Sequence, residues 1–470
     1  MSPRTLWAPA ALTVLAALLR FPTLDRQSFW LDEAATVVLL RMPFLDMVRA
    51  VPDSESTPPF YYVVAWGWAS AFGSGEVGVR SLSALAGTLT VPALYAAGTA
   101  LVSRRAGLVA AALGAVNPLL VWYSQEARAY ALLVLLTAIG LWLFARARGE
   151  KGTRALWGWA AVSAAALATH YFAAFVVLPE ALILLAGRRR RALGPVAALA
   201  AAGTLLLPLL LHQRANARAA FIEDSPLSAR ALQVPKQYLV GFDAPFEALM
   251  TIAAAVAVLL AALWLTARRP RGAGLAVALA GVSLLVPLVL AVGGADYLIT
   301  RNVIASLVPG LVALGAGFAA GGRAGVTVAG ALAVGSGLVA LAVPLVPQFQ
   351  RDPWRGAAAA LGPLRGGRAI AFTPAAGRLP LEVYLSGARD LPARGAVVGE
   401  VAVVALAEEG RVELAYPTLP PGVRAASRVR TPGFTVVRYR AARPFAVSRA
   451  ALAVSAPAEG PVGVLLQTPR

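Results

Sequence analysis

Long apolar runs separated by short arginine-rich connectors fill the first three quarters of the chain, and this pattern ends near residue 346. A membrane-crossing helix needs roughly 20 predominantly apolar residues. Runs of that kind predict spans at 5–22, 80–101, 107–123, 129–145, 155–175, 173–187, 193–211, 246–266, 273–293, 303–321 and 325–345. Two of these helices must share the stretch 170–179. The first run follows Arg4 and lacks a small-residue cleavage site before the charged stretch 20–26, so it reads as a retained span and not as a signal peptide.

The segment "PPFYYVVAWGWASAFG" is shorter, opens with Pro58 and Pro59, and is rich in Trp and Tyr. Prolines suit a first helical turn, and aromatic residues favour the membrane interface, so this helix is expected to lie along the surface. The connectors holding Arg104 and Arg105, Arg146 to Arg154, Arg188 to Arg191, Arg268 to Arg271, and Arg323 then share the side of Arg4. The positive-inside rule makes that side cytoplasmic. The opposite, outer side receives the loop with Asp32 and Glu33, the junctions "SQEARAY", "THYF" and "DYLITRN", the loop from His212 to Pro245, and the tail.

After about residue 346 the apolar runs shorten. "RAIAFTP", "EVAVVAL" and "FTVVRYRA" read as strands, and "PWRGAAAALGPL" as a helix opened by Pro353. The expected architecture is an α-helical polytopic membrane protein: a bundle of about 11 transmembrane helices with outer-face surface helices over 1–345, and a small extracytoplasmic α/β domain over 346–470. Composition agrees, with 59% hydrophobic and 14% charged residues and a mean hydropathy of +0.69. The formal net charge of +19 comes largely from arginines in the connectors, which points to membrane topology and away from a nucleic-acid partner. Without cysteine there are no disulfides, thiol nucleophiles or thiolate-held metals. No cytoplasmic loop shows a phosphate-cradling glycine motif, so an energy-rich substrate has to be available outside, where nucleotide-activated donors are scarce.

Asp32 and Glu33 are adjacent acids in "SFWLDEAATVVLL". Neighbours on a chain point in different directions, so one can serve as general base while the other orients a partner or holds a cation. The plainer reading places both in a helix's first turn, where acids interact favourably with the dipole. Asp53 and Glu55 precede the proline pair and read as loop acids, with Asp53 kept as a site candidate. Arg80 begins a span from outside, where arginines commonly snorkel. Ser124, Gln125, Glu126, Arg128 and Tyr130 crowd one junction, His170 and Tyr171 another, and Asp296, Tyr297, Arg301 and Asn302 a third. A lone histidine at such a boundary is more often a hydrogen-bonded structural group than a base. His212, Arg214 and Arg218 stand in the long outer loop. Arginines beside carboxylates suit a phosphate leaving group and an attacking hydroxyl.

The ordered motifs "FWLDEA", "TPPFYY", "GEVGVRSLSALAGTLTVPALY", "NPLLVWYSQEARAYAL", "THYFA" and "YLITRNVIASLVPGL" resemble the GT-C membrane glycosyltransferases of the protein O-mannosyltransferase and aminoarabinose-transferase type, glycosyltransferase family 39-like. The resemblance covers residues 1 to about 355, and the order of the motifs carries it. It implies transfer of a sugar from a polyprenyl-phosphate donor to a hydroxyl acceptor, with inversion, at the outer face of the cytoplasmic membrane. Asp32 would then be the general base, and Glu33 its support. Arg80 matches an arginine that follows the proline-pair helix, and Arg128 and Arg301 are expected at the lipid phosphate. Glu126, Tyr130, His170, Tyr171, Tyr297 and Asp53 complete the expected substrate-binding set. Many relatives carry His before the proline pair where this chain has Thr57, which leaves a divalent metal cation, the one candidate cofactor, open. Two other classes compete with this reading: a transporter of lipid-linked saccharides, which should place ionisable groups at mid-membrane and often carries repeats, whereas here the polar residues gather at one face and Glu180 is the one clear acid deep in a run; and an inactive family member serving as an envelope scaffold.

Overall fold

The computed structural model describes residues 7–149, 152–216, 220–406, 419–453 and 462–469. Arg218 lies outside them. The helices run, in chain order, α1 (Trp7–Arg20), α2 (Leu31–Leu40), α3 (Phe44–Ser54), α4 (Phe60–Phe72), α5 (Glu76–Leu101), α6 (Arg104–Val116), α7 (Pro118–Ser124), α8 (Tyr130–Ala147), α9 (Thr153–Thr169) and α10 (Ala174–Ala215). There follow α11 (Leu227–Val240), α12 (Glu247–Arg268), α13 (Ala273–Val292), α14 (Thr300–Val303), α15 (Leu307–Ala320), α16 (Gly322–Ala342), α17 (Trp354–Ala360), α18 (Arg378–Tyr384) and α19 (Arg449–Ala453). The chain divides into two compact units: 1–24 with 42–345, and 25–41 with 346–470. The segment 25–41, counted above with the helical bundle, thus packs in the C-terminal unit.

In the helical unit, seven helices among the described residues are long and apolar enough to cross a membrane, or eight if the bent pair α6–α7 is one span. The protein is a polytopic membrane protein. Two of the eleven expected spans are shorter helices, α1 with 14 residues and α9 with 17. Two others, 173–187 and 193–211, share the 42-residue α10, where the expected connector shrinks to one non-helical residue, Arg188. That helix also continues to Ala215, so His212 and Arg214 belong to its last turn and not to a loop. α4 has 13 residues. At about 1.5 Å per residue it is too short for a hydrocarbon core about 30 Å thick.

The bend between α6 and α7 shows how this unit is tied. Pro118 has no N–H to give to the carbonyl of Gly114, and the pair bends by 58°. Arg20, buried at the end of α1, supplies the missing donors: Nη2 to Gly114 O (3.2 Å), Nη1 to Ala115 O (2.7 Å) and Nε to Ser124 Oγ (3.0 Å). Asn117 caps α7 through Leu120 N (3.0 Å) and donates to Tyr238 O (2.8 Å). Gly87 permits the approach, since a Cβ there would lie 1.9 Å from Ser124 Oγ. Deep in the apolar region, Glu180 accepts a bond from Trp159 Nε1 (2.7 Å).

The C-terminal unit is built on a six-stranded sheet of order β2-β6-β1-β3-β5-β4, with β1 (Arg368–Thr373), β2 (Ala388–Asp390), β3 (Ala396–Leu406), β4 (Arg424–Arg430), β5 (Phe434–Val447) and β6 (Gly463–Gln467). Only β1 and β3 pair in parallel, and the other neighbours are antiparallel. Ile370, Phe372, Ala402 and Val404 face Trp354 of α17 and Leu381 of α18, while Ala369, Ala371, Val401 and Val403 fill a second core on the opposite face. Near-continuous burial along β3 is what a central strand covered on both faces requires.

A row of polar residues crosses this sheet in register: Arg440, Glu400, Arg368 and Gln467 on four adjacent strands. Glu400 accepts from Arg368 Nε (2.5 Å), from Arg438 Nε and Nη2 (3.0 Å each) and from Arg440 Nε. Burial alone would raise the Glu400 carboxyl, but the hydrogen bonds from Arg438 and Arg440 and the charge of Arg368 outweigh it and hold the group below its ordinary value. A depressed folded-state pKa contributes stability that is present above the unfolded value, about 4.3, and is lost as pH falls through the folded value. Glu400→Gln is therefore expected to destabilise this unit by about 3 kcal/mol at pH 7, because it leaves Arg368 buried without its charge partner. The penalty should shrink towards pH 3, and denaturant unfolding at the two pH values measures it.

Candidate active site

In the helical unit the chain emerges from α7 into a turn at 125–129, and Gln125 fixes this turn by donating to Leu19 O, Arg20 O and Thr23 Oγ1. The turn delivers Glu126 and Arg128 as buried side chains. Arg128 makes a two-pronged ion pair with Glu55: Nη1 to Oε1 at 3.1 Å and Nη2 to Oε2 at 3.0 Å. Paired N–H donors matched to both carboxylate oxygens form a strong, directional contact.

Glu55 is buried immediately after α3, which corrects its reading as a solvated loop acid. Asp53, two residues earlier, is 74% exposed and meets His212 Nε2 at 2.6 Å. The structure thus brings Glu55, and not Asp53, to Arg128. Close by, Tyr62 of α4 lies 3.4 Å from Thr57 Oγ1. Burial raises the Tyr62 hydroxyl well above its ordinary pKa, opposed by Arg128 and reinforced by Glu55, so it stays a neutral donor.

His170 closes α9, and its Nδ1 accepts from Phe172 N (3.3 Å). Its ring lies against Tyr130 (5.8 Å between centroids) and Phe172 (5.3 Å), and Phe172 in turn meets Tyr297 (5.6 Å). Histidine here caps the short turn that follows, the structural role weighed above. Tyr171 donates to Gln213 Oε1 (2.7 Å), and Gln213 Nε2 reaches Thr57 O (3.1 Å). The guanidinium of Arg301 stands over the Phe221 ring at 5.2 Å. Arg80 is buried and donates to Leu24 O at 2.7 Å, so it does not snorkel as expected for a span end. The residues Glu55, Thr57, Tyr62, Arg128, Tyr130, His170, Tyr171 and Tyr297 thus form one polar and aromatic group at the ends of α3, α7 and α9.

The "DYLITRN" segment is anchored by a residue the sequence did not single out. Arg230 donates Nη1 to Asp296 Oδ1 (2.9 Å) and to Leu298 O (2.8 Å), and Nη2 to Asp296 Oδ2. The Arg230 bond holds the Asp296 carboxyl below its ordinary range, against the effect of burial.

In the C-terminal unit, Asp32 and Glu33 stand in the first turn of α2, consistent with favourable placement near a helix N-terminus. Successive helical residues diverge by about 100°, and the two acids do so here. Asp32 is half-buried, whereas Glu33 is 0% exposed and meets Arg351 Nη1 at 3.7 Å. Among the described residues no three His, Asp or Glu side chains converge as a metal site. With Glu33 turned inward to a guanidinium, this donor set does not fit a divalent cation.

The chain shares its fold with known structures. It is similar to the ArnT of Cupriavidus metallidurans bound to undecaprenyl phosphate, with a TM-score of 0.54 at 12% identity, over 91% of this chain and 97% of that one. Against the apo state of the same protein the TM-score is again 0.54, at 12% identity, over 93% and 98%. Arabinofuranosyltransferase AftD from Mycobacteria gives 0.52 at 17% identity over 94% of this chain, which spans 40% of that protein. The fold is that of the GT-C membrane glycosyltransferases. Within it, residues 56–212 match the family described as Dolichyl-phosphate-mannose-protein mannosyltransferase. No curated protein matches the chain in sequence.

Proposed function

We propose that this protein is a glycosyltransferase that moves a sugar from a polyprenyl-phosphate carrier to a hydroxyl acceptor at the outer face of the cytoplasmic membrane. The observation that carries this reading is the end-to-end likeness to a structure that holds undecaprenyl phosphate, in a chain that places a half-buried acid beside a buried, paired one. Asp32 takes the proton of the acceptor hydroxyl as its oxygen attacks the anomeric carbon. The bond from that carbon to the phosphate oxygen breaks, the electron pair leaves with the phosphate, and the configuration inverts. Arg128 and Arg301 meet the lipid phosphate, where negative charge grows along the reaction, so they stabilise the transition state more than the ground state. Glu33 fixes the start of α2 and with it the base.

Envelope lipids, glycans and glycoproteins from cells with and without the protein, compared by mass spectrometry, test the reading. Loss of one defined sugar from one acceptor class is the expected result. An unchanged profile, with the unprocessed polyprenyl-phosphate sugar also unchanged, would refute it.

A further inference from the structure

The C-terminal unit holds the segment that carries the acid pair, and the contacts are specific. Before α2 begins, residues 28–30 have no regular structure. Three of the groups that lead into the helix are nonetheless fixed by residues more than 320 positions away: Gln27 Oε1 accepts from Arg351 N (3.0 Å), Ser28 Oγ from Arg355 N (3.1 Å), and Phe29 N donates to Tyr384 Oη (2.7 Å). Arg355 Nη2 also reaches Asp25 O (2.7 Å), and the Phe29 and Tyr384 rings stack at 6.0 Å. α2 has only 10 residues, a length at which an isolated helix is marginal in water, so its order must come from packing. A fully buried carboxylate such as Glu33 is tolerated only with a charge partner, and Arg351, itself almost wholly buried, provides it.

We propose that Arg351 and Tyr384 are positioning residues for Asp32: the C-terminal unit acts as the seat of the proposed general base, with Arg351 holding Glu33 inward and Tyr384 clamping the backbone before α2. The inference rests on the glycosyltransferase reading for its catalytic consequence, and on the contacts alone for the seating. Catalysis is sensitive to placement, since a shift of about 1 Å in a reacting group can cost about 100-fold in rate. Arg351 touches neither donor nor acceptor in this account, so its loss should lower kcat and leave the KM for donor unchanged.

The test uses the full-length protein and pairs hydrogen exchange with kinetics. In Arg351→Met, amides of 31–40 should exchange at least 10-fold faster while those of β3 stay protected, and kcat should fall by about 10- to 100-fold at constant donor KM. Arg351→Lys should recover most of both, and Tyr384→Phe should give a smaller loss of the same kind. Pairing Glu33→Gln with Arg351→Met removes the buried charge and should restore protection over 31–40. If Arg351→Met loosens β3 as well, Tyr384→Phe and Arg351→Lys carry the comparison. Unchanged exchange over 31–40, or faster exchange with unchanged kcat, overturns the proposal. A wild-type protein that exchanges as expected but transfers no sugar overturns the reading of function instead, and leaves the seating supported.

Discussion

Asp32→Asn is expected to lower sugar transfer by about 10²- to 10⁴-fold, the usual contribution of a positioned proton-transfer group. The substitution preserves size and removes the basicity together with the negative charge. Asp32 is half-buried at the second position of α2, so the folded state should lose no more than about 1 kcal/mol, from weaker interaction with the helix dipole. A large fall in kcat with nearly unchanged thermal stability is therefore the signature of the base. Asp32→Ala should behave alike, and Asp32→Glu should retain an intermediate rate because its carboxylate survives about one bond length out of place. Kinetics and melting measured on the same detergent-purified samples distinguish this from loss of fold. Full activity in Asp32→Asn would remove the residue from the mechanism.

The second large effect belongs to Arg128. Its bidentate pair with Glu55 is buried on both sides, with side-chain exposures of 10% and 5%. Removing one partner of such a pair strands a buried charge and costs about 3–5 kcal/mol. Arg128→Met should therefore unfold the helical unit at a clearly lower temperature and abolish transfer. Stability and chemistry separate in the double variant Glu55→Leu with Arg128→Met, which replaces the pair by apolar groups and is expected to recover much of the stability. Transfer should stay lost in that variant if Arg128 meets the departing phosphate. Recovery of transfer together with stability would reduce Arg128 to a structural tie.

Much of the fold is legible in the sequence because the bilayer makes it so: a run of about 20 apolar residues has few alternatives to a spanning helix. The alternating and β-branched stretches 368–374, 400–406 and 434–441 are equally plain, and they fall on β1 (Arg368–Thr373), β3 (Ala396–Leu406) and β5 (Phe434–Val447). Partners distant in the chain are not plain. Asp53 and Glu55 are indistinguishable as acids before a proline pair, and only the end of α3 at Ser54 turns Glu55 inward to Arg128 while Asp53 stays out with His212. Arg80 stands out in the sequence as an arginine at the start of a span and Arg230 does not stand out at all, and neither shows the carbonyl, of Leu24 or of Leu298, that receives it. Arg351 and Tyr384 carry no local signal of their tie to 25–41, because hydrophobic periodicity describes one element at a time. The two helices at 173–187 and 193–211 are legible as separate runs, and what the arginine cluster between them hides is how short the break is: helical geometry fails at Arg188 and resumes at once, because arginine is a good helix former.

The central claim is that this chain breaks the sugar–phosphate bond of a lipid-linked donor with Asp32 as base. Its most direct test incubates the purified protein in nanodiscs with a panel of polyprenyl-phosphate-linked pentoses and hexoses and a mixture of hydroxyl acceptors, and follows free polyprenyl phosphate by mass spectrometry. The account predicts release with one donor that depends on time and on acceptor, and that falls at least 100-fold in Asp32→Asn. Release by Asp32→Asn at the wild-type rate would contradict it, as would no release from any donor by folded wild-type protein.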